Sequence, residues 1–245
     1  MIRRHFEVHE TAVTIIAEEE YLPIAEGSII RSREAVERFI REDPFFRITL
    51  EPYPCPPHAP EIVRRMCEAA SAAGVGPMAG VAGAIAERAV LDMREAGAPC
   101  AIVDNGGDVA LLIDRETGVG WYAGPEVKGL GFACPPRDGV FGICTSSATI
   151  GPSISFGVSD AATVVSANVT LADTCATLLG NLLTSEEDGV IRRALDVVCS
   201  IPGVEGAAAV VGGKMAMKGK LPPLTRMEVS LEKVTKVESP SADQN

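Results

Sequence analysis

Aromatic side chains are scarce in this sequence: one Trp, three Tyr and seven Phe make up 4% of 245 residues. Its core must therefore be built from Ala, Val, Leu and Ile, with 24 glycines available where backbones approach closely. Positive charge is also short. Lys and Arg number 22 against 33 Asp and Glu, a net charge of −11 that repels phosphate backbones and anionic membrane surfaces, so neither nucleic acid nor a membrane is an expected partner. Long apolar runs are missing as well. The two longest charge-free stretches, 69–86 and 139–159, are rich in Gly, Ser, Thr and Pro and lack the continuous apolarity of a bilayer span. The start, Met1-Ile2-Arg3-Arg4-His5-Phe6-Glu7, has no apolar stretch of signal-peptide type, and neither a signal peptide nor a lipid anchor is expected. Seven cysteines, no two closer than ten residues, form no C-x-x-C pair and no disulfide framework of the secreted kind; the expectation is a cytoplasmic protein with reduced thiols. The three histidines, His5, His9 and His58, lie far from any candidate acid or nucleophile in sequence, so a Ser-His-Asp or Cys-His site has no local support.

One absence is local. Between Gly139 and Ser185, 47 residues carry only two charged side chains, Asp160 and Asp173, where the chain average of 22% would give about ten.

What is present has a clear order. Apolar residues alternate around Phe6, Val8, Ala12 and Val13 and continue as Thr14-Ile15-Ile16-Ala17, the pattern of two short strands and a turn. Residues 32–40 read as an amphipathic helix capped by Ser32, with Val36, Phe39 and Ile40 on one face, and 46–50 read as a strand. Five prolines in residues 52–60 admit neither helix nor central strand and make a stiff connector between an opening segment, 1–51, and a main body, 61–238. Helices are expected at 60–73 and 79–96, the second stopped by Gly97. The period then changes: 100–103 and 109–113 flank Asp104-Asn105-Gly106-Gly107-Asp108 as a hairpin, and a third strand follows at 118–123. Residues 97–110 align without gaps on 203–216 at a constant offset of 106, each copy following a helix, 86–96 and 190–200. The expected class is α+β, with duplicated helix-plus-hairpin units packing helices on antiparallel sheets. Residues 239–245 are polar and expected to be a disordered tail.

Few residues offer chemistry. The sequence Gly74-Val75-Gly76-Pro77-Met78-Ala79-Gly80 places its third glycine one position late for a dinucleotide fingerprint and follows a helix, so a Rossmann site is rejected. On a helix through 170–180, Asp173 and Thr177 would lie one turn apart and offer a carboxylate and a hydroxyl to a hard cation; the competing reading makes Asp173 a cap at the start of its helix. Thr145, Ser146 and Ser147 follow an expected strand at 140–143 as a run of uncharged donors suited to phosphate or pyrophosphate, or as an ordinary Ser/Thr turn. Cys144 is a candidate nucleophile or redox thiol, weighed against a buried structural cysteine because no basic residue stands beside it.

Four segments in sequence order, Gly80-Val81-Ala82-Gly83, Asn105-Gly106-Gly107-Asp108, Thr145-Ser146-Ser147 and Ala172-Asp173 with Thr177, resemble the ApbE-like family of FAD:protein FMN transferases. The match is closer to a short, soluble branch classed as an uncharacterised protein family. The resemblance covers roughly residues 75–185. It implies Mg²⁺ held by the Asp173 carboxylate, the Thr177 hydroxyl and the Ala82 carbonyl. Asn105, Gly106, Gly107, Asp108, Thr145, Ser146 and Ser147 would line a site for FAD, FMN or another nucleotide. Two departures stand out: the family's Lys is Gly83 here, and Gly151-Pro152-Ser153-Ile154-Ser155 occupies the region of the family's His. With both groups missing, nucleotide and metal binding follow from the resemblance more directly than FMN transfer. The branch is also associated by genomic context with sulfide assimilation and homocysteine formation, which would give Cys144 a sulfur-trafficking role. A non-catalytic homo-oligomer, its Gly/Ala-rich segments packed between subunits, is the third reading.

Overall fold

The computed structural model describes residues 1–8, 11–124, 126–147 and 157–227. His9, residues 148–156 and the expected tail at 239–245 lie outside them. The opening alternation forms β1 (Ile2–Val8) and β2 (Thr11–Ala17), an antiparallel pair in which Phe6 lies opposite Val13. Next comes α1 (Leu22–Glu42), starting ten residues before the predicted helix. Pro23 occupies its first turn, where a missing N–H costs nothing, and Ser32 is a buried mid-helix residue, not a cap. The predicted strand at 46–50 is instead the short helix α2 (Phe45–Ile48). The Asp43 carboxylate accepts the Phe45 amide at 3.0 Å, and the Phe46 ring meets Phe39 and Tyr53 edge-on at 4.9 and 5.1 Å. Tertiary packing has outweighed the strand propensity of Phe-Phe-Arg-Ile-Thr.

The Pro-rich connector leads to α3 (Glu61–Ala73), which ends at Gly74 in the left-handed conformation. A 3-10 turn (Pro77–Gly80) runs into α4 (Val81–Glu95). Strands β3 (Ala101–Asn105) and β4 (Asp108–Leu112) then form the predicted hairpin, closed by Gly106 and Gly107 at φ 70° and 103°. Strands β5 (Thr117–Trp121), β6 (Leu130–Cys134), β7 (Phe141–Ser146) and β8 (Ala161–Ser166) precede α5 (Val169–Leu182) and α6 (Asp188–Cys199). The second hairpin follows, β9 (Val204–Val211) and β10 (Lys214–Gly219), with Gly212 and Gly213 again at positive φ; β11 (Leu224–Arg226) closes the described chain.

Eight strands form one antiparallel sheet in the order β1-β2-β3-β4-β7-β8-β9-β10, and β11-β6-β5 form a second. The protein is thus α+β. Helices pack on one face of the large sheet around Val103, Ala110, Val164 and Ala207. The small sheet covers the other face, where Trp121 and Phe132 meet Leu111, Phe141 and Val165.

This layering accounts for the local loss of charge. Strands β7 and β8 are central and covered on both faces, and β7 from Phe141 to Cys144, all of β8 and every α5 residue from Val169 to Ala176 are buried, where a charge would be costly. The other charge-free stretch forms the corner between α3 and α4, which bends by 109°. No single helix among the described residues is long and apolar enough to cross a membrane.

Candidate functional site

The candidate residues gather where the N-termini of α4 and α5 meet the ends of β3, β4 and β7. Small side chains make that meeting possible. A Cβ on Gly83 would lie 2.7 Å from the Asp173 Cβ and 2.8 Å from the Val169 carbonyl oxygen, and one on Gly80 would lie 3.0 Å from the Thr170 carbonyl oxygen. The helices therefore cross closely enough for each to cap the other. The Asp173 carboxylate, carried by α5, accepts the Gly83 amide at 2.7 Å and the Ala82 amide as well, both at the start of α4. The Glu87 carboxylate, carried by α4, accepts the Thr170 amide at 3.2 Å and the Thr170 hydroxyl at 2.6 Å at the start of α5, and takes Arg65 Nη2 at 2.9 Å on its other oxygen. Carboxylates at two helix N-termini satisfy amides that have no intrahelical partner and complement the helix dipoles.

The sequence allowed Asp173 to be a cap of its own helix, but Asn168 has that role, its side chain accepting the Leu171 amide at 2.9 Å. Asp173 is an internal residue that caps a neighbour. Nothing in the local sequence singled out Glu87, because its partner lies 83 residues away.

The sheet supplies the remaining groups. Asn105, Asp108 and Cys144 sit on the helix-facing side of adjacent strands, with Asp108 opposite both Asn105 and Cys144 in register. Asn105 donates its side-chain amide to the Ala82 carbonyl at 3.0 Å, tying the hairpin to α4. The Cys144 thiol contacts the Asp108 carboxyl and donates to the Val169 carbonyl at 3.6 Å. Thr177 donates weakly to the Ala79 carbonyl at 3.4 Å. Asp173, Asp108, Asn105, Cys144 and the Ala82 backbone thus form one cluster, with Thr177 a turn further along α5.

The hydroxyl run is less uniform than expected. Thr145 and Ser146 continue β7, and Ser147 follows the strand. Strand alternation turns Thr145 to the opposite face of the sheet, where its hydroxyl hydrogen-bonds that of Thr163 at 2.9 Å and Thr163 accepts the Trp121 indole N–H at 2.8 Å. Gly106 and Gly107 lie at the hairpin tip, where the Gly107 amide donates to Asp104 at 3.0 Å.

Burial dominates the electrostatics. It pushes the Asp173 carboxyl up to about 7, against two backbone amides that favour the charged form. Burial again, followed by the charges of Asp173 and Asp104, holds Asp108 well above the usual carboxylate range. The groups shifting these two acids are burial, other acids, neutral amides and a thiol, with no basic side chain among them. The Cys144 thiol is also raised well above its ordinary value by burial and by Asp108 and Asp173, so it remains protonated at neutral pH.

Among the described residues no group of three or more His, Cys, Asp or Glu side chains is placed to hold a metal ion, so an ion at this corner would rest on two carboxylates and neutral oxygens. Two carboxylates, a hydroxyl and backbone carbonyls are oxygen donors of the kind Mg²⁺ takes, and a cation would relieve the uncompensated acids. The family's Lys has no place here, because the space beyond Gly83 is filled by Asp173 and the Val169 carbonyl.

Comparisons with known proteins bear on the family and the fold. A family model described as AbpE bacteria matches residues 2–201. The UPF0280 protein of Methanocella arvoryzae is 52% identical over 232 residues, covering 94% of each chain, and that of Methanosarcina acetivorans is 48% identical over 237 residues, covering 96% of this chain and 93% of its own. Among solved structures, the apo flavinyl transferase ApbE of Pseudomonas stutzeri superposes with a TM-score of 0.59 over 89% of this chain and 94% of that one, at 12% identity. A variant of the Vibrio cholerae flavin transferase ApbE gives 0.56 over 89% and 97%, also at 12% identity. At that identity the likeness is one of fold. Matched by the family model over most of its length and by relatives over more than nine-tenths of it, this chain belongs to the ApbE-like UPF0280 family.

Proposed function

We propose that this protein binds the pyrophosphate of a flavin or related nucleotide together with Mg²⁺ at the α4/α5 corner. The observation that carries the reading is the pair of buried Asp173 and half-buried Asp108, both raised by desolvation and facing no basic side chain among the groups that shift them. Asp173, Thr177 and the Ala82 carbonyl would hold the ion, and Asn105 would orient that carbonyl through the bond it already makes. Bound there, Mg²⁺ would neutralise and polarise a pyrophosphate. Asp108 and the Gly106-Gly107 turn would border the nucleotide, with Ser146 and Ser147 at the end of β7.

FMN transfer has less support than binding. An attacking hydroxyl needs a base, and developing negative charge needs a donor; Gly83 supplies neither and leaves no room for a longer side chain. The sulfur-trafficking alternative would require a Cys144 thiolate, which its surroundings disfavour.

The test is a titration of the purified protein with FAD and with ADP, with and without Mg²⁺. Asp173→Asn is the informative variant, since the amide oxygen can still accept from Gly83 while the charge is lost. We expect Mg²⁺-dependent binding in the native protein and at least tenfold weaker binding in the variant. Binding indifferent to both Mg²⁺ and Asp173 rejects the reading.

A further inference from the structure

The three most exposed large apolar side chains among the described residues lie within six positions of one another: Ile48 is 70% exposed, Leu50 62% and Phe45 56%. A single exposed leucine is ordinary, but a contiguous group of this kind is not, least of all in a chain with only seven phenylalanines. The local structure holds these side chains outward. Phe46 points inward from α2, fully buried, with its ring edge-on to Phe39 and Tyr53. Phe45 and Ile48, three residues apart on the single turn of α2, share a face turned away from it. Thr49 is buried and extended, and the backbone that follows lies against Gly76, where a Cβ would come within 3.0 Å of the Leu50 Cα. With the backbone fixed on both sides, little ordering is needed for the patch to dock. Pro44 and Pro52, both exposed, extend the apolar surface at either end.

The surrounding charges indicate what covers it. Arg38, Arg41 and Glu42 near the end of α1, Arg47 on α2 and Glu51 after Leu50 are all exposed, and among the described residues none of them forms an ion pair. Arginines elsewhere are engaged, as Arg65 is with Glu87 and Arg137 with Glu205. With Asp43, which accepts the Tyr53 hydroxyl at 2.6 Å, residues 38–51 carry three charges of each sign, in a chain whose net charge is −11. This is a face that two copies can bring together without the repulsion their net charge would otherwise impose. We propose that it is the interface of a symmetric homodimer, in which Phe45, Ile48 and Leu50 of both copies pack about a two-fold axis and the arginines of one copy meet the glutamates of the other. The three side chains alone expose roughly 300 Å², whereas a standard interface takes about 800 Å² from each partner, so the two prolines and the charged rim complete the contact.

Sedimentation velocity of the full-length protein over a range of concentrations at physiological salt tests this. We expect a species of twice the 25.7 kDa chain mass. Ile48→Glu and Phe45→Ser, both at exposed positions, should each keep the circular dichroism spectrum of the unmutated protein and weaken dimerisation by about thirtyfold or more, the effect of losing one hot-spot contact. Met215→Glu, which places the same acid on a 45% exposed residue of the edge strand β10, should leave the dimer intact. A protein that is monomeric at every concentration, a dimer indifferent to the changes at both Phe45 and Ile48, or one broken by Met215→Glu overturns the proposal. So does a monomer that floats with vesicles of anionic phospholipid and loses that property in Ile48→Glu, since the face would then belong to a membrane.

Discussion

At the scale of single residues, Gly83 has the clearest consequence. It stands where the resemblance places a lysine, and from sequence alone the substitution looks like the loss of one charged group. In the structure it is also a packing requirement, since a Cβ there would strike the Asp173 Cβ and a backbone oxygen of α5 that cannot swing aside. Gly83→Ala should therefore destabilise the protein by about 1–3 kcal/mol, the usual range for overpacking a tight contact, measured by urea denaturation. Gly83→Lys should be worse and should not create transferase activity in an assay with FAD and a Ser- or Thr-containing acceptor peptide. A tolerated Gly83→Lys with transfer activity would mean that the α4/α5 crossing is looser than its geometry. Asp173 is likewise more than a candidate ligand: it satisfies two amides of α4, so Asp173→Ala removes a cap together with a charge. Only Asp173→Asn separates these roles.

At the scale of elements, the two central helices hold one another through reciprocal acids. Glu87 is 3% exposed and joins α4 to both α5 and α3 through Thr170 and Arg65. Glu87→Ala should cost about 1.5–3 kcal/mol, the range for hydrogen bonds to a charged group, whereas Glu87→Gln keeps much of the geometry and should cost less. Urea denaturation of both variants checks the order, and equal losses would show that charge, not hydrogen bonding, dominates. Local chemistry explains which elements were legible in the sequence. The Gly106-Gly107 turn and its counterpart Gly212-Gly213 were readable because positive φ is a demand of the turn itself. The first half of α1 was not, because Pro23, Gly27 and the β-branched pair Ile29-Ile30 weaken helix propensity while buried Leu22, Ala25 and Ile29 supply the packing that offsets it. The α2 segment failed in the same way, aromatic residues resembling a strand until Phe39 and Tyr53 are in place. Of the site, the acid and hydroxyl spacing on α5 and the hairpin turn could be read locally. Glu87, the Asn105 bond to Ala82 and the turn of Thr145 toward the small sheet depend on long-range register.

At the scale of the whole molecule, β7, β8 and α5 of the charge-poor stretch lie at the centre of the fold, and the two acids retained in that stretch have different partners. Asp160 accepts the Gly212 amide at 2.8 Å and secures the second hairpin. Asp173 lies with Asp108 at the α4/α5 corner, and this gives the protein an unusual response to pH. A carboxyl raised in the folded state binds its proton more tightly there than in the unfolded chain, so its stabilising contribution is complete below the ordinary carboxylate value and is lost as pH rises through the folded one. For metal-free protein that window runs from about 4 to about 7 for Asp173, with Asp108 acting in the same direction. Glu205, lowered by its paired hydrogen bonds from Arg137, acts oppositely, favouring the fold above the ordinary value and losing that contribution as pH falls further. The net charge of −11 adds self-repulsion at neutral pH. Melting temperature in a chelator should consequently fall between pH 5 and 8, the upper part of that window and just beyond it. Mg²⁺ should flatten the decline, because an ion bound by Asp173 replaces the proton that stabilises it at lower pH. Asp173→Asn should flatten it without Mg²⁺, since the amide does not titrate. A decline of equal steepness in all three samples would place the pH response elsewhere in the molecule and remove the uncompensated buried acid as the reason to expect a cation at this corner.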